Sequence, residues 1–398
     1  MDRLRCPIQP YAWGSRTAIP ELMGEIPSGE PAAELWMGAH HRGAAQLERA
    51  GETLSLGAAI AIDPQGELGG AAARRFGGCL PYLMKVLAAA EPLSLQAHPS
   101  SAQAEVGFAR EELAGVPIDA PDRSFRDANH KPELICALTP FAALCGFADA
   151  EDSIPRLRGL GQPELQPVID HLVASPDADG VAAALQYLLT LDRGPAEQLV
   201  TAVVAATTEA DVPAGIEAWV QRLAGKYPGD PGVAVALLMN LVTLAPGQAL
   251  FLGAGNLHAY LDGVGIEIMA SSDNVLRGGL TQKHIAIDDL LEVVDCSPFD
   301  VPIQTAVGPV HTFEAPIDEF ALTRVVPEQT IARPLHSGEI VLSLHGTTEI
   351  KAPSARPPQE RVELGPGQVV WVPASHGHYR LTTDEHAVAF IASVPAGS

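Results

Sequence analysis

Two distant stretches of the chain repeat each other. Residues 244–258 read LAPGQALFLGAGNLH and residues 364–378 read LGPGQVVWVPASHGH, sharing Leu, Pro, Gly, Gln, Ala and a final His without a gap. Each is a Pro-Gly turn, an apolar strand, a second turn and a histidine on the strand that follows. Such a repeat predicts two copies of one β-sandwich unit. Between about 149 and 240 the texture changes. PELQPVIDHLVA, GVAAALQYLLTL, PAEQLVTAVVAAT and AGIEAWVQRLAG carry apolar residues at helical spacing, separated by Pro, Gly and Asp. Short apolar runs such as PYLMKVL (81–87) and PLSL (92–95) come before this block, and short strands return after Pro246. The expected fold is mainly β with an α insert: two β-sandwich (jelly-roll) units plus a helical domain. The boundaries are 1–148 with 241–300 for the first unit, 149–240 for the helices and 301–398 for the second unit.

The bulk features exclude several classes of function. Forty-eight Asp and Glu against 25 Lys and Arg leave a net charge of −23, which argues against nucleic acid or an anionic membrane surface as partner. The longest apolar stretch, Val233–Ala245, contains Asn240 and Thr243 and stops at Pro246, so it reads as a buried helix too short to span a bilayer. The first residues show no apolar signal segment. Cys6, Cys79, Cys136, Cys145 and Cys296 are scattered, which is the pattern of a reducing compartment, so a cytoplasmic protein is expected. Only five cations are lysines (Lys85, Lys131, Lys226, Lys283, Lys351), and that scarcity makes their positions informative.

Three segments carry chemistry. In PLSLQAHP (92–99), Gln96 and His98 are two apart on a strand and point to one face. In FRDANHKPEL (125–134), Glu133 stands at the mouth of a buried strand, where a carboxylate needs a cation or hydrogen-bond partner. In GNLHAYLDGVGIEIMASSDNVLRGGLTQKH (255–284), His258 is the repeat histidine, Glu267 lies in an apolar strand and Asp273 and Arg277 occupy a Gly-rich segment. Gln96, His98, Glu133 and His258 together make a mononuclear N/O metal site with one carboxylate and no thiolate.

These segments resemble the type I phosphomannose isomerases. The resemblance rests on YAWGS (11–15), AELWMGAH (33–40), LMKVL (83–87), PLSLQAHP (92–99), NHKPE (129–133), GNLHAYL (255–261) and SDNVLRGGLTQKH (272–284), in the family's order up to about residue 300. It implies a cupin fold for both β units, the second of them non-catalytic, and a metal-dependent interconversion of mannose 6-phosphate and fructose 6-phosphate through a cis-enediol. It implies one zinc per chain, held by Gln96, His98, Glu133 and His258. Zinc and Arg277 would stabilise the developing enediolate. His130, Lys131, Glu267 and Asp273 are the candidates for proton transfer, with Lys131 a reasonable shuttle because a neighbouring zinc lowers its pKa. Lys85 and Ser94 are implied in the substrate pocket, at its phosphate end.

Other positions stay open at this stage. Glu34 is a pocket contact, a partner of a ligand or a structural residue; Trp13 and Tyr260 wall the sugar site or pack a core. Lys283 and His284 open the next helix and read as surface residues. The sequence departs from the family where PSSAQAEV lacks a lysine after QAHP and where LTQK replaces LTPK. In the second unit His345, His376 and His378 have no counterpart of Glu133, so no second metal site is expected. A monomer acting on a sugar phosphate is the expected form. The alternatives are an isomerase of another sugar phosphate or free sugar, and a non-catalytic regulatory cupin that binds a sugar phosphate.

Overall fold

The computed structural model describes residues 1–49, 51–209, 215–353 and 360–396. Its centre is an 11-stranded sheet. One run follows the order Gln304–Thr305, Gln248–Leu252, Glu133–Ala137, His258–Ala270, Tyr82–Ala89, Glu34–Gly38 and Ile8–Gln9. The strands Leu95–Ala97, Phe141–Phe147, Met239–Leu244 and Leu276–Gly279 branch from it. The 13-residue strand His258–Ala270 belongs to both parts. Its first half pairs with Phe141–Phe147, and its second half lies between Tyr82–Ala89 and Glu133–Ala137.

The crossover happens at Gly263, whose φ is +125° and where a Cβ would sit 2.7 Å from the Pro140 carbonyl oxygen. Only glycine takes that backbone at so close an approach. Gly263→Ala is therefore expected to destabilise the chain by about 2–3 kcal/mol, read as a lower urea midpoint at unchanged m.

The carboxy-terminal strands form a sandwich. One sheet runs Asp2–Leu4, Val369–Val372, Glu339–His345, Val388–Ser393, Ala321–Val325, Val310–Thr312; the other runs Thr330–Pro334, His378–Thr383, Thr348–Ala352, Glu360–Leu364. Val341, Ile350, Leu364, Val370, Leu381 and Ile391 fill the space between them. The first sheet turns its other face to the central sheet, where Ile340, Leu342, Trp371 and Phe390 pack with Met84, Val86, Ile266 and Ile268. The chain's first strand thus closes the edge of its last sheet.

The repeated turns have the same chemistry. Gly247 and Gly367 have φ of +86° and +71°. The Gln248 and Gln368 side chains accept from the Ala245 and Gly365 amides at 2.8 and 3.0 Å. Pro, Gly and Gln recur because the turn uses each of them.

Five helices, Ala150–Gly159, Gln166–Ala174, Ala178–Leu189, Arg193–Glu209 and Ile216–Lys226, form the helical block. Leu172, Leu185, Leu188, Val203, Val220 and Leu223 share one core with Leu95, Leu257, Leu261 and Leu276, so the block is packed onto the strands that carry the site. The architecture is mainly β with a helical region, as expected. Two local readings are corrected. Val233–Ala245 is not one buried helix: it is a short turn of helix (Gly232–Val235), a 3₁₀ turn (Ala236–Leu238) and a strand (Met239–Leu244). Periodicity cannot separate helix from strand in so short an apolar run, and pairing with Phe141–Phe147 decides it. The first hundred residues also hold helices at Leu56–Ile62, Pro64–Leu68 and Gly70–Arg75. Ser55 and Asp63 cap the first two through the amides of Ala58 and Gly66. Among the described residues no helix is long and apolar enough to cross a membrane.

Candidate active site

The three elements of the site meet because of strand register. His258 begins its strand opposite both Gln96 and Cys145, and Arg277 lies opposite Gln96 on the other side. Glu133 begins the buried strand Glu133–Ala137, opposite Met269 of the long strand. As a result the Glu133 carboxylate lies between two imidazoles. Its Oε1 is 3.3 Å from His98 Nε2, its Oε2 is 3.4 Å from His258 Nε2, and all three residues are at most 2% exposed.

The other ring nitrogens settle the tautomers. His98 Nδ1 faces the Asn274 carbonyl at 2.7 Å and His258 Nδ1 faces the Asn256 carbonyl at 3.0 Å. A carbonyl can only accept, so both Nδ1 atoms carry hydrogen, and in the neutral imidazole that leaves Nε2 as the lone-pair atom. Those lone pairs face a carboxylate that has no proton to give, and His98 Nε2, His258 Nε2 and Glu133 Oε2 have no hydrogen-bond partner. Buried polar atoms in that condition are costly unless a cation lies between them. Separations of 3.3–3.4 Å suit two donors on one tetrahedral zinc, about 3.3–3.5 Å apart at ordinary bond lengths. The residues fit a borderline metal with N/O ligands.

Electrostatics prepares the same arrangement. Burial opposes ionisation of Glu133, yet the Lys131 ammonium 2.9 Å from Oε1 and the neighbouring His98 hold its pKa well below the usual carboxylate range. Burial first, and then Lys131, pushes His98 down to about 4. The carboxylate is ionised and the imidazole neutral, as ligands must be.

Beneath this group lies a second charged cluster. Lys85, on the fully buried strand Tyr82–Ala89, has its Nζ 2.7 Å from Glu267 Oε2 and 3.5 Å from Glu34 Oε1. The Trp36 indole donates to Glu34 Oε2 at 2.6 Å. Burial alone would lower the Lys85 pKa, but Glu267, then Glu34 and Glu133, outweigh it and raise it. Burial raises Glu267, and Lys85 offsets this in part. The Tyr260 hydroxyl is buried and unpaired, with its ring against His258 and Phe141.

Above the two clusters opens a cavity of about 510 Å³. Of the residues singled out in the sequence, Trp13, Glu34, Lys85, Ser94, Gln96, Lys131, Asp273 and Arg277 line it. Glu267 and Tyr260 do not line it, and neither do His98, Glu133 and His258, which lie behind Gln96 and Lys131. His130 is set apart: its Nε2 is 2.8 Å from Glu319 Oε1, a residue of the carboxy-terminal part. Lys283 is exposed, as its surface reading has it, and also lines the cavity.

Sequence reasoning missed Arg126, Arg42, His40 and Asn274. Arg126 and Arg42 line the cavity, and Arg126 lies within the FRDANHKPEL segment, where its charge was the available signal. Burial, then Arg126, lowers the Arg277 pKa; burial, then Arg277, Arg126 and Arg42, lowers Lys283. Among the described residues no carboxylate bears on either group, so this end of the cavity concentrates positive charge. Asp273, by contrast, is held by His40, His41 and Arg42 at 3.5–3.6 Å. Asn274 is fully buried. Its Oδ1 accepts from the Arg126 amide at 2.7 Å, its Nδ2 donates to the Asp127 and Asn129 carbonyls, and its own carbonyl orients His98.

Comparison with known proteins agrees with this geometry. Residues 1–150 match the family model "Phosphomannose isomerase type I, catalytic domain". The mannose-6-phosphate isomerase of Escherichia coli K12 is 38% identical, over 96% of this chain and 98% of its own length. The human mannose-6-phosphate isomerase is 32% identical over 97% of both chains. The crystal structure of the Salmonella typhimurium mannose 6-phosphate isomerase, bound to substrate and to a zinc atom, superposes with a TM-score of 0.90 at 35% identity, covering 99% of this chain and all of the other. With relatives this similar over nearly the whole length, the chain belongs to the type I phosphomannose isomerase family.

Proposed function

We propose that this chain is a zinc-dependent mannose-6-phosphate isomerase, interconverting mannose 6-phosphate and fructose 6-phosphate. One observation carries the reading. His98 Nε2, His258 Nε2 and Glu133 Oε2 converge without hydrogen-bond partners behind Gln96 and Lys131, which line a cavity that also gathers Arg126, Arg277 and Lys283. His98, Glu133 and His258 hold the zinc, with Gln96 beside them on the cavity wall. When bound, the metal supplies Lewis-acid stabilisation of the charge that develops as the C2 proton is lost.

The chain's own residues do the rest. Arg126, Arg277 and Lys283 take the phosphate, because they are the cations no carboxylate neutralises, and this favours a phosphorylated sugar over a free one. Lys85, neutralised by Glu267 and Glu34, holds the floor together. Lys131 and Asp273 are the proton-transfer candidates that line the cavity; His130 is turned to Glu319 and Glu267 is covered. Lys131 is next to the ligand Glu133, and His40 and His41 orient Asp273.

In this reading residues 1–148 and 241–300 form the catalytic cupin unit, 149–240 the helical insert and 301–398 a non-catalytic cupin-like unit. The protein acts as a monomer in this reading, and all five cysteines are free, which supports the cytoplasm.

The purified chain with added zinc is expected to form fructose 6-phosphate from mannose 6-phosphate, to stop on chelation and to recover when zinc is restored. Substrate labelled at C2 with deuterium should lose part of its label to solvent. Full turnover after complete metal removal would be incompatible with the reading.

A further inference from the structure

The segment that leaves the helical block, Tyr227 to Gly232, touches both walls of the cavity's cationic end. The Tyr227 hydroxyl donates to the Pro92 carbonyl at 3.0 Å, two residues before the wall residue Ser94. Asp230 reaches the opposite wall. Its Oδ1 accepts from the Gly232 amide at 2.8 Å, and its Oδ2 accepts from the Thr281 amide at 3.0 Å. Thr281 in turn accepts through its hydroxyl from the Lys283 amide at 3.1 Å. One carboxylate therefore joins the helical block to the loop that carries Lys283.

The backbone around this joint needs holding. Leu280 is fully buried and sits at φ +54°, a left-handed conformation that a leucine adopts only when its surroundings impose it. Gly279 precedes it at φ +126°, and a Cβ there would be 2.8 Å from Gly232 Cα. A Cβ on Gly232 would likewise be 2.8 Å from the Leu280 nitrogen. The two segments meet at backbone contact, with glycine on each side, and the strained residue lies immediately before the tethered amide.

We infer that Asp230 is a positioning residue for substrate binding: by fastening the Thr281 amide to the helical block, it aims the Thr281–Lys283 loop at the phosphate of the sugar. The inference rests on the functional reading above. It gives the helical block a task in recognition, although the metal ligands all come from the β framework. Asp230 touches no substrate atom. It acts through the loop, so its loss weakens binding of the phosphate group and leaves the chemistry at the metal intact.

The informative variant is Asp230→Asn. The amide keeps Oδ1 for Gly232, so the turn at Asp230 survives, but its NH₂ meets the Thr281 N–H donor to donor. KM for mannose 6-phosphate should rise about tenfold with kcat within about twofold of wild type, the signature of lost binding without lost chemistry. Inorganic phosphate, measured by calorimetry, should bind about tenfold more weakly, with zinc content unchanged. Once Lys283→Ala has removed the charge that the loop presents, adding Asp230→Asn should cost almost nothing further. Phosphate affinity and KM equal to wild type in Asp230→Asn would overturn the tether while leaving the isomerase reading intact, and so would a fall in kcat at constant KM. A wild-type chain with no mannose 6-phosphate turnover would instead overturn the isomerase reading. Weakened phosphate binding in the variant would still support the tether in that case, and no phosphate binding by either protein would end both.

Discussion

Glu133→Ala is expected to leave a folded chain that retains no zinc and turns over mannose 6-phosphate about 10³-fold more slowly, or less. The reasoning starts from the charge of the ligand set. Glu133 is its one anion, and Gln96, His98 and His258 bring no negative charge, so its removal takes away the whole Coulomb attraction for a dication. The loss is not confined to the metal. The Lys131 ammonium, 2.9 Å from Glu133 Oε1 and 8% exposed, loses its partner, and the two Nε2 lone pairs then face an empty space. Glu133→Gln separates these effects. It keeps the shape and one oxygen acceptor but not the charge, so zinc should bind weakly and turnover should lie between wild type and alanine. Metal analysis on dialysed protein, beside the initial rate with excess zinc, distinguishes lost affinity from lost chemistry. Stoichiometric zinc and a wild-type rate in Glu133→Ala would remove this carboxylate from the metal site.

The sequence made some of this site legible and hid the rest, for reasons that differ by residue. His98, Glu133 and His258 were readable because each stands where an apolar strand begins or ends, and a polar residue there stands out from its neighbours. The repeat was readable because its turn needs Pro, Gly and Gln in fixed places. Its histidines nevertheless part company: His258 is buried between strands, whereas His378 is exposed. Pairings made by tertiary register could not be read. Nothing local to Lys85 announces Glu267, its cross-strand neighbour 182 positions away, and nothing local to His130 announces Glu319. The cationic end of the cavity is hidden for the same reason, since Arg126, Arg277 and Lys283 come from separate loops and a strand. A net charge of −23 says nothing about such a local reversal, because the surface and the cavity contribute to one sum. The short helices between 56 and 75 were missed because Gly- and Ala-rich segments of five to seven residues carry almost no periodic signal, and their evidence lies in single capping residues.

Lys85→Ala is expected to destabilise the protein by about 3–5 kcal/mol, a large share of the roughly 5–15 kcal/mol that holds a domain folded. The strand Tyr82–Ala89 is buried at every position, and Lys85 is the one charge it carries. Its ammonium lies between Glu267 and Glu34, which are 2% and 6% exposed, so its removal leaves two carboxylates facing each other without a cation. Attraction within such a buried trio does little more than offset the desolvation of its members, but an orphaned member is costly. The pH dependence follows from Glu267. Burial already raises its pKa in the presence of Lys85, and without the ammonium it rises further. A carboxyl with its folded pKa above its unfolded one favours the fold at low pH and loses that contribution as pH rises through the folded value. The deficit of Lys85→Ala should therefore be smallest near about pH 5 and widen toward about pH 8. Glu267→Gln added to Lys85→Ala should recover part of the loss and flatten this dependence, because a neutral amide has nothing to protonate. Urea titrations of the wild type and the two variants at both pH values provide the test. A Lys85→Ala chain as stable as wild type at the higher pH, or one whose deficit grows on acidification, would show that the trio is not the buried charge network described here.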